Sequence, residues 1–365
     1  MSLKTEPAND DRDASELVIR RIPSTLDLLR LHELNPDRYP HLLQSATPGP
    51  QARFDILFAY PEDSLTLQAD GRLRGAEDAG SDFLMALDAR WAREALAHTV
   101  TSEPLPFRGG WFLYLGYELA GQVEPRLQLP PPQAAIPVAI ATRFRTALIR
   151  DHREDCLWLV TEPGTDDRLD ALLRDIAQAE AVPEPALPDL PAVALAEDAP
   201  EHYLAMVRRT LAYIRDGDIF QANLARTWTA RFGSSVAPSA LYRRLRARNL
   251  GPFNGLATWP EHAIISSSPE RLVRVRGQVI DTRPIAGTRP RGQGDAADAA
   301  LSRELLAHPK ERAEHIMLID LERNDLGRVC VPGTVRVDEL MALESYAHVH
   351  HIVSNVRGEL ADGAG

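Results

Sequence analysis

The stretch SSSPERLVRVRGQVIDTRPIAGT, Ser266–Thr288, gives the clearest local prediction in the sequence. Alternating apolar residues on both sides of Gly277-Gln278 predict two antiparallel strands joined by a two-residue turn, and glycine suits the first central position of a type II′ turn. Because Glu270 and Ala286 are equidistant from Gln278, a tight hairpin places Glu270 beside Ile285 and Ala286, within about one position of register.

The predicted position of Glu270 gives this residue a chemical setting. The adjacent Gly287-Thr288 turn can offer backbone N–H groups and a hydroxyl to an anion. A carboxyl group next to such a turn can act as a general acid or base. The alternative is an exposed glutamate at the start of a strand, which is the usual environment of glutamate. The local pattern leaves both interpretations open.

The segment KERAEHIMLID, Lys310–Asp320, predicts a helix. Glu314 has apolar residues three, four and seven positions later, so we predict that it lies on the apolar face. A buried carboxylate needs a cation or a hydrogen-bond donor, and Mg²⁺ prefers oxygen ligands. The alternative is a salt bridge from Glu314 to Lys310 or Arg323. The next residue, His315, is predicted to be structural.

The segment YAHVHHIVS, Tyr346–Ser354, places three histidines in a β-prone run. By alternation, His348 and His350 share one face of a strand and His351 lies on the other. A histidine on an apolar strand face is usually a core residue with a hydrogen-bond partner, and a catalytic proton donor is the alternative. The strand spacing and the lack of a nearby cysteine or fourth ligand argue against zinc.

Composition excludes several classes of function. The chain has 365 residues and a formal net charge of −11, which is opposite to a nucleic-acid-binding footprint. Its two cysteines, Cys156 and Cys330, form neither a zinc motif nor a disulfide framework. No signal peptide, membrane span, phosphate-binding loop or dinucleotide-binding motif is present in the sequence. We therefore expect a cytoplasmic protein without nucleic-acid or membrane partners.

Residues 178–200 differ in composition from the rest of the chain. They are rich in Pro, Ala and acidic residues without a period, and they predict a linker. We therefore expect a flexible tail at 1–15, an N-terminal α+β region at 16–177, the linker, and a C-terminal core at 201–365. In that core, apolar residues spaced by three and four predict a helix that ends near Gly217.

Five motifs occur in the order found in one known family. The chain resembles the chorismate-utilising enzymes, specifically the large subunits of anthranilate synthase and aminodeoxychorismate synthase, most densely between residues 203 and 360. The resemblance implies a two-domain α/β sandwich of antiparallel sheets with outer helices and an active site in the cleft. The motifs are Ser-Pro-Glu270, Arg-Pro-Ile-Ala-Gly-Thr288, Lys-Glu-Arg-Ala-Glu-His315, Asp-Leu-Glu-Arg-Asn-Asp325 and His-His-Ile-Val-Ser354.

The resemblance also implies roles for individual residues. Glu270 would be the acid/base for the groups that leave and attack the substrate ring. Gly287 and Thr288 would bind chorismate. Glu314 would be a ligand of Mg²⁺, which in turn would hold the ring carboxylate. His351 would lie near the substrate and assist proton transfer or loss of the C4 hydroxyl.

Gln221 indicates the nucleophile by the same resemblance. Relatives that add water to chorismate have a lysine at this position, and a neutral glutamine cannot deprotonate water at neutral pH. Ammonia needs no such base, so amination is favoured over the formation of isochorismate or salicylate. The chain shows no glutamine amidotransferase domain, and we expect a separate glutamine amidotransferase subunit to supply the ammonia.

Ala286 bears on the product of the amination. Most aminodeoxychorismate synthases have a lysine there that attacks the substrate covalently, and alanine carries no nucleophile. Anthranilate synthases have alanine, but the N-terminal half resembles the aminodeoxychorismate branch, with Gln44 in place of the usual glutamate. The hypothesis is an aminodeoxychorismate synthase without the covalent lysine, and the alternative is an anthranilate synthase that releases pyruvate.

Six residues align with the tryptophan pocket of relatives. We interpret them as structural, with tryptophan regulation as the alternative. Relatives continue beyond the position of Gly365 with further substrate-binding residues and a second magnesium glutamate, so we expect this chain by itself not to turn over. A second alternative is a noncatalytic scaffold of the same family. The six aligned residues are Ser45, Arg53, Phe54, Pro252, Phe253 and Asn254.

Overall fold

The described part of the chain falls into two units. The computed structural model describes residues 17–45, 53–75, 82–94, 105–127, 129–130, 136–165, 167–249 and 251–363. The predicted tail at 1–15 lies outside these residues. Residues within Met1–Glu184 and Leu245–Gly365 form a larger unit, and Pro185–Arg244 form a smaller one.

The described elements are numbered in chain order. The strands are β1 (Val18–Ile22), β2 (His41–Gln44), β3 (Phe54–Ala59), β4 (Ser64–Leu67), β5 (Leu73–Arg74), β6 (Gly110–Leu115), β7 (Ala139–Phe144), β8 (Thr146–Asp151), β9 (Cys156–Thr161), β10 (Val193–Glu197), β11 (Trp228–Phe232), β12 (Phe253–Thr258), β13 (Ala263–Ser268), β14 (Arg274–Arg276), β15 (Val279–Thr282), β16 (Ile285–Pro290), β17 (Arg336–Ser345) and β18 (Val349–Glu359). The helices are α1 (Leu29–Leu34), α2 (Phe83–Glu94), α3 (Ala120–Val123), α4 (Asp167–Ala181), α5 (Pro200–Asp216), α6 (Pro238–Arg248), α7 (Asp295–Ala307) and α8 (Pro309–Gly327).

Three antiparallel sheets organise the larger unit. A seven-stranded sheet has the order β1-β9-β8-β3-β2-β12-β13, and a four-stranded sheet has the order β5-β4-β7-β6. The third sheet has the order β14-β15-β18-β16, with β17 paired to the other side of β18. The prediction of a mixed fold built on antiparallel sheets and helices is therefore confirmed.

The segment 139–161 contains the most deeply buried strands. All residues of β7, β8 and β9 are buried, and β8 pairs with β9 across a polar turn. Strands β7 and β8 are separated only by Arg145, but β7 belongs to the four-stranded sheet and β8 to the seven-stranded one. One continuous run thus contributes to two sheets.

Helix α8 packs on the third sheet through a small apolar cluster. Ile319 and Leu326 of the helix meet Ile280 of β15 and Val356 of β18. Burial of each large apolar side chain contributes about 1.5–3 kcal/mol to stability. The predicted apolar face of α8 is wrong, because the buried positions are His315, Ile319 and Leu326, whereas residues 317 and 321 are exposed.

The smaller unit contains the antiparallel strand pair β10–β11, with α5 in the connection between the two strands. The helix ends at Asp216 because Gly217 takes a left-handed C-cap conformation, with φ 83°, as predicted. Residues 178–200, predicted as a linker, include the end of α4 and all of β10. Among the described residues, no helix combines the length and apolarity needed to cross a membrane.

Candidate active site

The β14–β15 hairpin places Glu270 where the sequence predicts. Arg276 pairs with Val279, which leaves a two-residue turn, and Gly277 has φ 57°. The backbone N–H of Ile285 donates to Oε1 of Glu270 at 2.8 Å. Glu270 is exposed, and its second carboxylate oxygen has no hydrogen bond to any described residue. One oxygen therefore orients the carboxylate and the other is available for proton transfer.

Glu322 of α8 is a neighbour of Glu270 that the sequence analysis did not single out. Burial raises the pKa of Glu322, and the carboxylates of Glu270 and Asp325 raise it further, against a hydrogen bond with Thr282 that lowers it. Its position three residues after the buried Ile319 places it on the inner side of the helix, and because the sequence did not reveal which side of the helix is buried, it held no signal for this residue. The carboxyl groups of Glu270 and Glu322 are therefore within electrostatic range of each other.

Gly287 interrupts the pairing of β16 with β18. The register shifts between Ala286, which pairs with Ile352, and Thr288, which pairs with His351. Gly287 has φ 80°, a conformation that L side chains rarely adopt. A Cβ atom there would lie 3.2 Å from the side chain of Glu311. The absence of a side chain thus lets α8 approach the strand. Glu311, which the sequence analysis also did not identify as a site residue, lies against the bulge.

Thr288 and His351 form the polar pair at the centre of this sheet. The Thr288 Oγ1 and His351 Nδ1 atoms are 3.0 Å apart. Burial lowers the pKa of His351, although a hydrogen bond with the Gly287 backbone and the charge of Glu344 oppose the effect. The ring is therefore neutral at neutral pH and can accept a proton.

The other two histidines of this segment have different partners. His350 is buried and lies 2.8 Å from Ser345 Oγ and 2.9 Å from Asp298 Oδ1. His348 is exposed. The adjacent His350 and His351 thus contact different elements, as the predicted alternation requires.

Glu314 is half-buried on α8 and makes no hydrogen bond or ion pair with any described residue. The alternative partners from the sequence do not bind it, since Arg323 instead lies 3.3 Å from Asp320. Glu311, three residues earlier, is on the same side of the helix. It shares Arg289, at 3.4 Å, with Glu304.

The family resemblance implies a magnesium ion, and the carboxylates of Glu314 and Glu311 are the candidates to hold it. The described residues contain no group of three or more His, Cys, Asp or Glu side chains arranged to hold a metal ion. Mg²⁺ nevertheless binds proteins through one or two carboxylates and retains several water ligands. The unpaired carboxylate of Glu314, with Glu311 one turn away, fits that mode.

His315 is a fully buried residue of the same helix. Its Nε2 lies 2.7 Å from Ser354 Oγ, which also accepts a 2.8 Å hydrogen bond from the backbone N–H of Met341. The histidine joins α8 to β18 and to the irregular part of β17. This contact is structural, as the sequence analysis predicts.

Ala286 and Gln221 complete the predicted substrate-binding set. Ala286 is buried beside Ile352 and presents only a methyl group. Gln221 belongs to the smaller unit and is exposed there. The larger unit therefore brings Glu270, Thr288 and His351 into one region around β16 and β18.

The residues aligned with a tryptophan pocket cluster around β2, β3 and β12. Arg53 donates hydrogen bonds to Asp151 through Nε and Nη2 and lies over the ring of Phe54 at 4.6 Å. The Ser45 hydroxyl donates to the carbonyl of Pro252 at 3.2 Å. Asn254 is buried beside Phe253.

Comparisons with known proteins identify the family of this chain. Residues 39–365 match the family described as chorismate binding enzyme. The chain is 44% identical over 260 residues to an anthranilate synthase component I-like protein of Synechocystis, covering 71% of this chain and 53% of that protein. It is 41% identical over 278 residues to aminodeoxychorismate synthase component 1 of Bacillus subtilis, covering 73% and 58%. The chain thus spans little more than half the length of these two relatives.

A solved structure supports the same fold. Anthranilate synthase component I from Streptococcus pneumoniae TIGR4 is similar with a TM-score of 0.70 and 28% identity. The similarity covers 87% of this chain and 71% of that structure.

Proposed function

The chain belongs to the family of chorismate binding enzymes, and we propose that it aminates chorismate to 4-amino-4-deoxychorismate without a covalent lysine intermediate. The observation that carries the chemistry is the oriented carboxylate of Glu270 beside a strand pair that holds a neutral His351. Together these groups can deliver and accept protons at the ring. The buried Ala286 offers no nucleophile, so ammonia makes every carbon–nitrogen bond.

The proposed route has two displacements by ammonia. In the first, ammonia attacks C2 of chorismate, the C4–O bond breaks, and Glu270 protonates the departing hydroxyl, which leaves as water. The new ammonium group returns one proton to the carboxylate. In the second, another ammonia attacks C4, Glu270 protonates the C2 amine, and the C2–N bond breaks, so that the first nitrogen leaves as ammonia and the new ammonium group returns a proton to the carboxylate. The net change is replacement of the C4 hydroxyl by an amine with loss of water.

The remaining residues bind and orient the substrate. Thr288 and the backbone at Gly287 are the proposed contacts for chorismate, and the Thr288 hydroxyl fixes the His351 ring. Glu314, with Glu311, would hold Mg²⁺, which when bound supplies positive charge for a substrate carboxylate. We propose a separate glutamine amidotransferase subunit as the source of ammonia.

The choice of product rests on the region around Arg53. Two side chains of this region have partners inside the protein, since Arg53 pairs with Asp151 and the neighbouring Gln44 pairs with Asp55. Internal pairing of this kind favours a branch that tryptophan does not regulate. The second candidate is anthranilate synthase, which the alanine at position 286 and the Synechocystis relative favour. A noncatalytic scaffold is the third.

Product analysis separates the three candidates. The full-length protein is incubated with chorismate, MgCl₂ and an ammonium salt, and products are separated by HPLC. We expect 4-amino-4-deoxychorismate, converted to p-aminobenzoate when its lyase is added. Anthranilate with an equal amount of pyruvate would replace the proposal by the second candidate. Binding of chorismate without turnover, measured by calorimetry, would favour the scaffold.

A further inference from the structure

Glu344 of β17 is a charged residue that the proposed function leaves without a role. It pairs with His351 of β18, and His351 pairs on its other side with Thr288 of β16. Residues opposite each other in antiparallel strands present their side chains on the same face, with Cβ atoms about 4.5–5.5 Å apart. Thr288, His351 and Glu344 therefore form one row across three strands.

Two neighbours fix the carboxylate of Glu344. The Arg283 guanidinium donates to Glu344 Oε1 through Nη2 at 2.6 Å and Nε at 3.1 Å. The Tyr346 hydroxyl donates to the other carboxylate oxygen. The side chains of Arg283 and Glu344 are only 13% and 21% exposed, so water weakens this ion pair less than it would a surface pair. The negative charge is thus held at a fixed position beside the histidine.

Tyr346 connects this ion pair to the imidazole. Its ring centroid lies 5.7 Å from that of His351, with the ring planes tilted by 58°. The same residue therefore packs on the imidazole with its ring and binds Glu344 with its hydroxyl. Thr288 holds Nδ1 of the ring from the opposite strand. The orientation of His351 is determined from both sides of the row.

We propose that Glu344 is a positioning residue for His351: Arg283 and Tyr346 fix its carboxylate so that it orients the imidazole and favours its protonated form during the reaction. The inference rests on the proposed function, in which His351 takes part in proton transfer. Glu344 offsets the burial that disfavours a charged ring, whereas the adjacent His350 acts in the opposite direction. Arg283 limits the effect because it partly neutralises Glu344.

The test compares two glutamates that share Arg283. Glu339 also pairs with Arg283, but in the sheet it lies opposite Asn355 rather than His351. In Glu344→Gln, NMR titration of the unliganded protein is expected to show a lower pKa for the His351 imidazole. Turnover should fall about 10- to 100-fold, the range for a misplaced catalytic group, with an unchanged KM for chorismate. Glu339→Gln should leave the pKa of His351 and the turnover near those of the parent.

A second variant guards against a loss of structure. Glu344→Asp keeps the negative charge. In this variant we expect the pKa of His351 to stay close to that of the parent and the turnover to fall in part. An unchanged imidazole pKa in Glu344→Gln, or an equal change in Glu339→Gln, would overturn the inference. The titration requires no substrate. A parent protein that fails to aminate chorismate would therefore refute the proposed function, while the NMR comparison would still decide whether Glu344 acts on His351.

Discussion

Two polar clusters in the larger unit differ in how much hydrogen-bonding capacity they leave unused. Around Arg53, the guanidinium is bound to Asp151 and the Ser45 hydroxyl is bound to a backbone carbonyl. Around His351, Glu270 uses one carboxylate oxygen and Glu314 uses neither with any described residue. Paired charges stabilise a fold, whereas unpaired ones remain available to a ligand. We therefore propose a structural role for the first cluster and a chemical role for the second.

Asn254 is the exception within the first cluster. It is 1% exposed, and neither atom of its amide has a hydrogen-bond partner among the described residues. An unsatisfied buried amide costs about 1–3 kcal/mol. The residues around it are bonded to one another, so this amide is the part of the cluster that does not fit a purely structural role.

The largest expected effect lies in the second cluster. Glu270→Gln removes the titratable group but keeps an oxygen that accepts from Ile285 N–H. Loss of a general acid/base costs about 10²- to 10⁴-fold in turnover. We expect kcat for chorismate to fall within this range and the thermal unfolding temperature to stay unchanged. A variant that retains turnover would remove Glu270 from the chemistry, and one that unfolds early would give it a structural role.

The next effect lies in the first cluster and concerns stability. Arg53→Ala leaves the buried Asp151 carboxylate with only the backbone N–H groups of residues 153 and 154. Breaking a buried ion pair costs about 3–5 kcal/mol, and these remaining donors place the expected loss at or below the lower end of that range. Urea unfolding measures it. The exposed pair of Arg72 with Asp70 is the control, and Arg72→Ala should cost less than about 1 kcal/mol. Equal losses would contradict the assignment of the Arg53 cluster to structure.

A smaller effect tests the magnesium assignment. Glu314→Gln removes a charge that has no described partner, so the stability of the fold should not change. Loss of residues that support a metal site lowers affinity about 10- to 100-fold, and a direct ligand should lower it at least as much. Calorimetric titration with Mg²⁺ in the presence of chorismate measures this change. The matched control is Asp320→Asn on the exposed side of α8, which should leave Mg²⁺ affinity unaltered.

The smallest effect is a pH dependence within the first cluster. His152 Nε2 lies 3.1 Å from Asp55 Oδ2, and this hydrogen bond raises the pKa of His152 more than burial lowers it. The pair should therefore stabilise the fold fully below the usual histidine pKa of about 6.5 and lose that effect as pH rises through the raised value. Because His152 is partly exposed, the change should stay within about 1 kcal/mol. Urea unfolding across this window should show the slope in the parent and not in His152→Gln.

Short-range features were predictable because few conformations satisfy them. The β14–β15 turn allows only two residues, which fixes the register and brings Glu270 to Ile285. The stop of α5 at Gly217 follows from the left-handed conformation that glycine adopts readily. The family motifs identified Thr288 and His351 together although 63 positions separate them in the chain.

The buried face of α8 was not predictable, because apolar residues occur on several sides of that helix. Which side is buried depends on Ile280 and Val356 of the sheet beneath it. The sequence offered Glu314 with Met317 and Leu321 as one face, but contact with the sheet selected His315 and Ile319. Glu314 is left half-buried and unpaired by that choice.

The sequence by itself determined the family, the mixed antiparallel architecture, and the local geometry around Glu270. These depend on motif order, on strand periodicity and on turns of a few residues, all of which are written along the chain. Only the tertiary structure decided which carboxylates are paired. The partners Arg53 and Asp151, 98 positions apart, and Arg283 and Glu344, 61 apart, meet through strand pairing and chain reversals that no local pattern encodes.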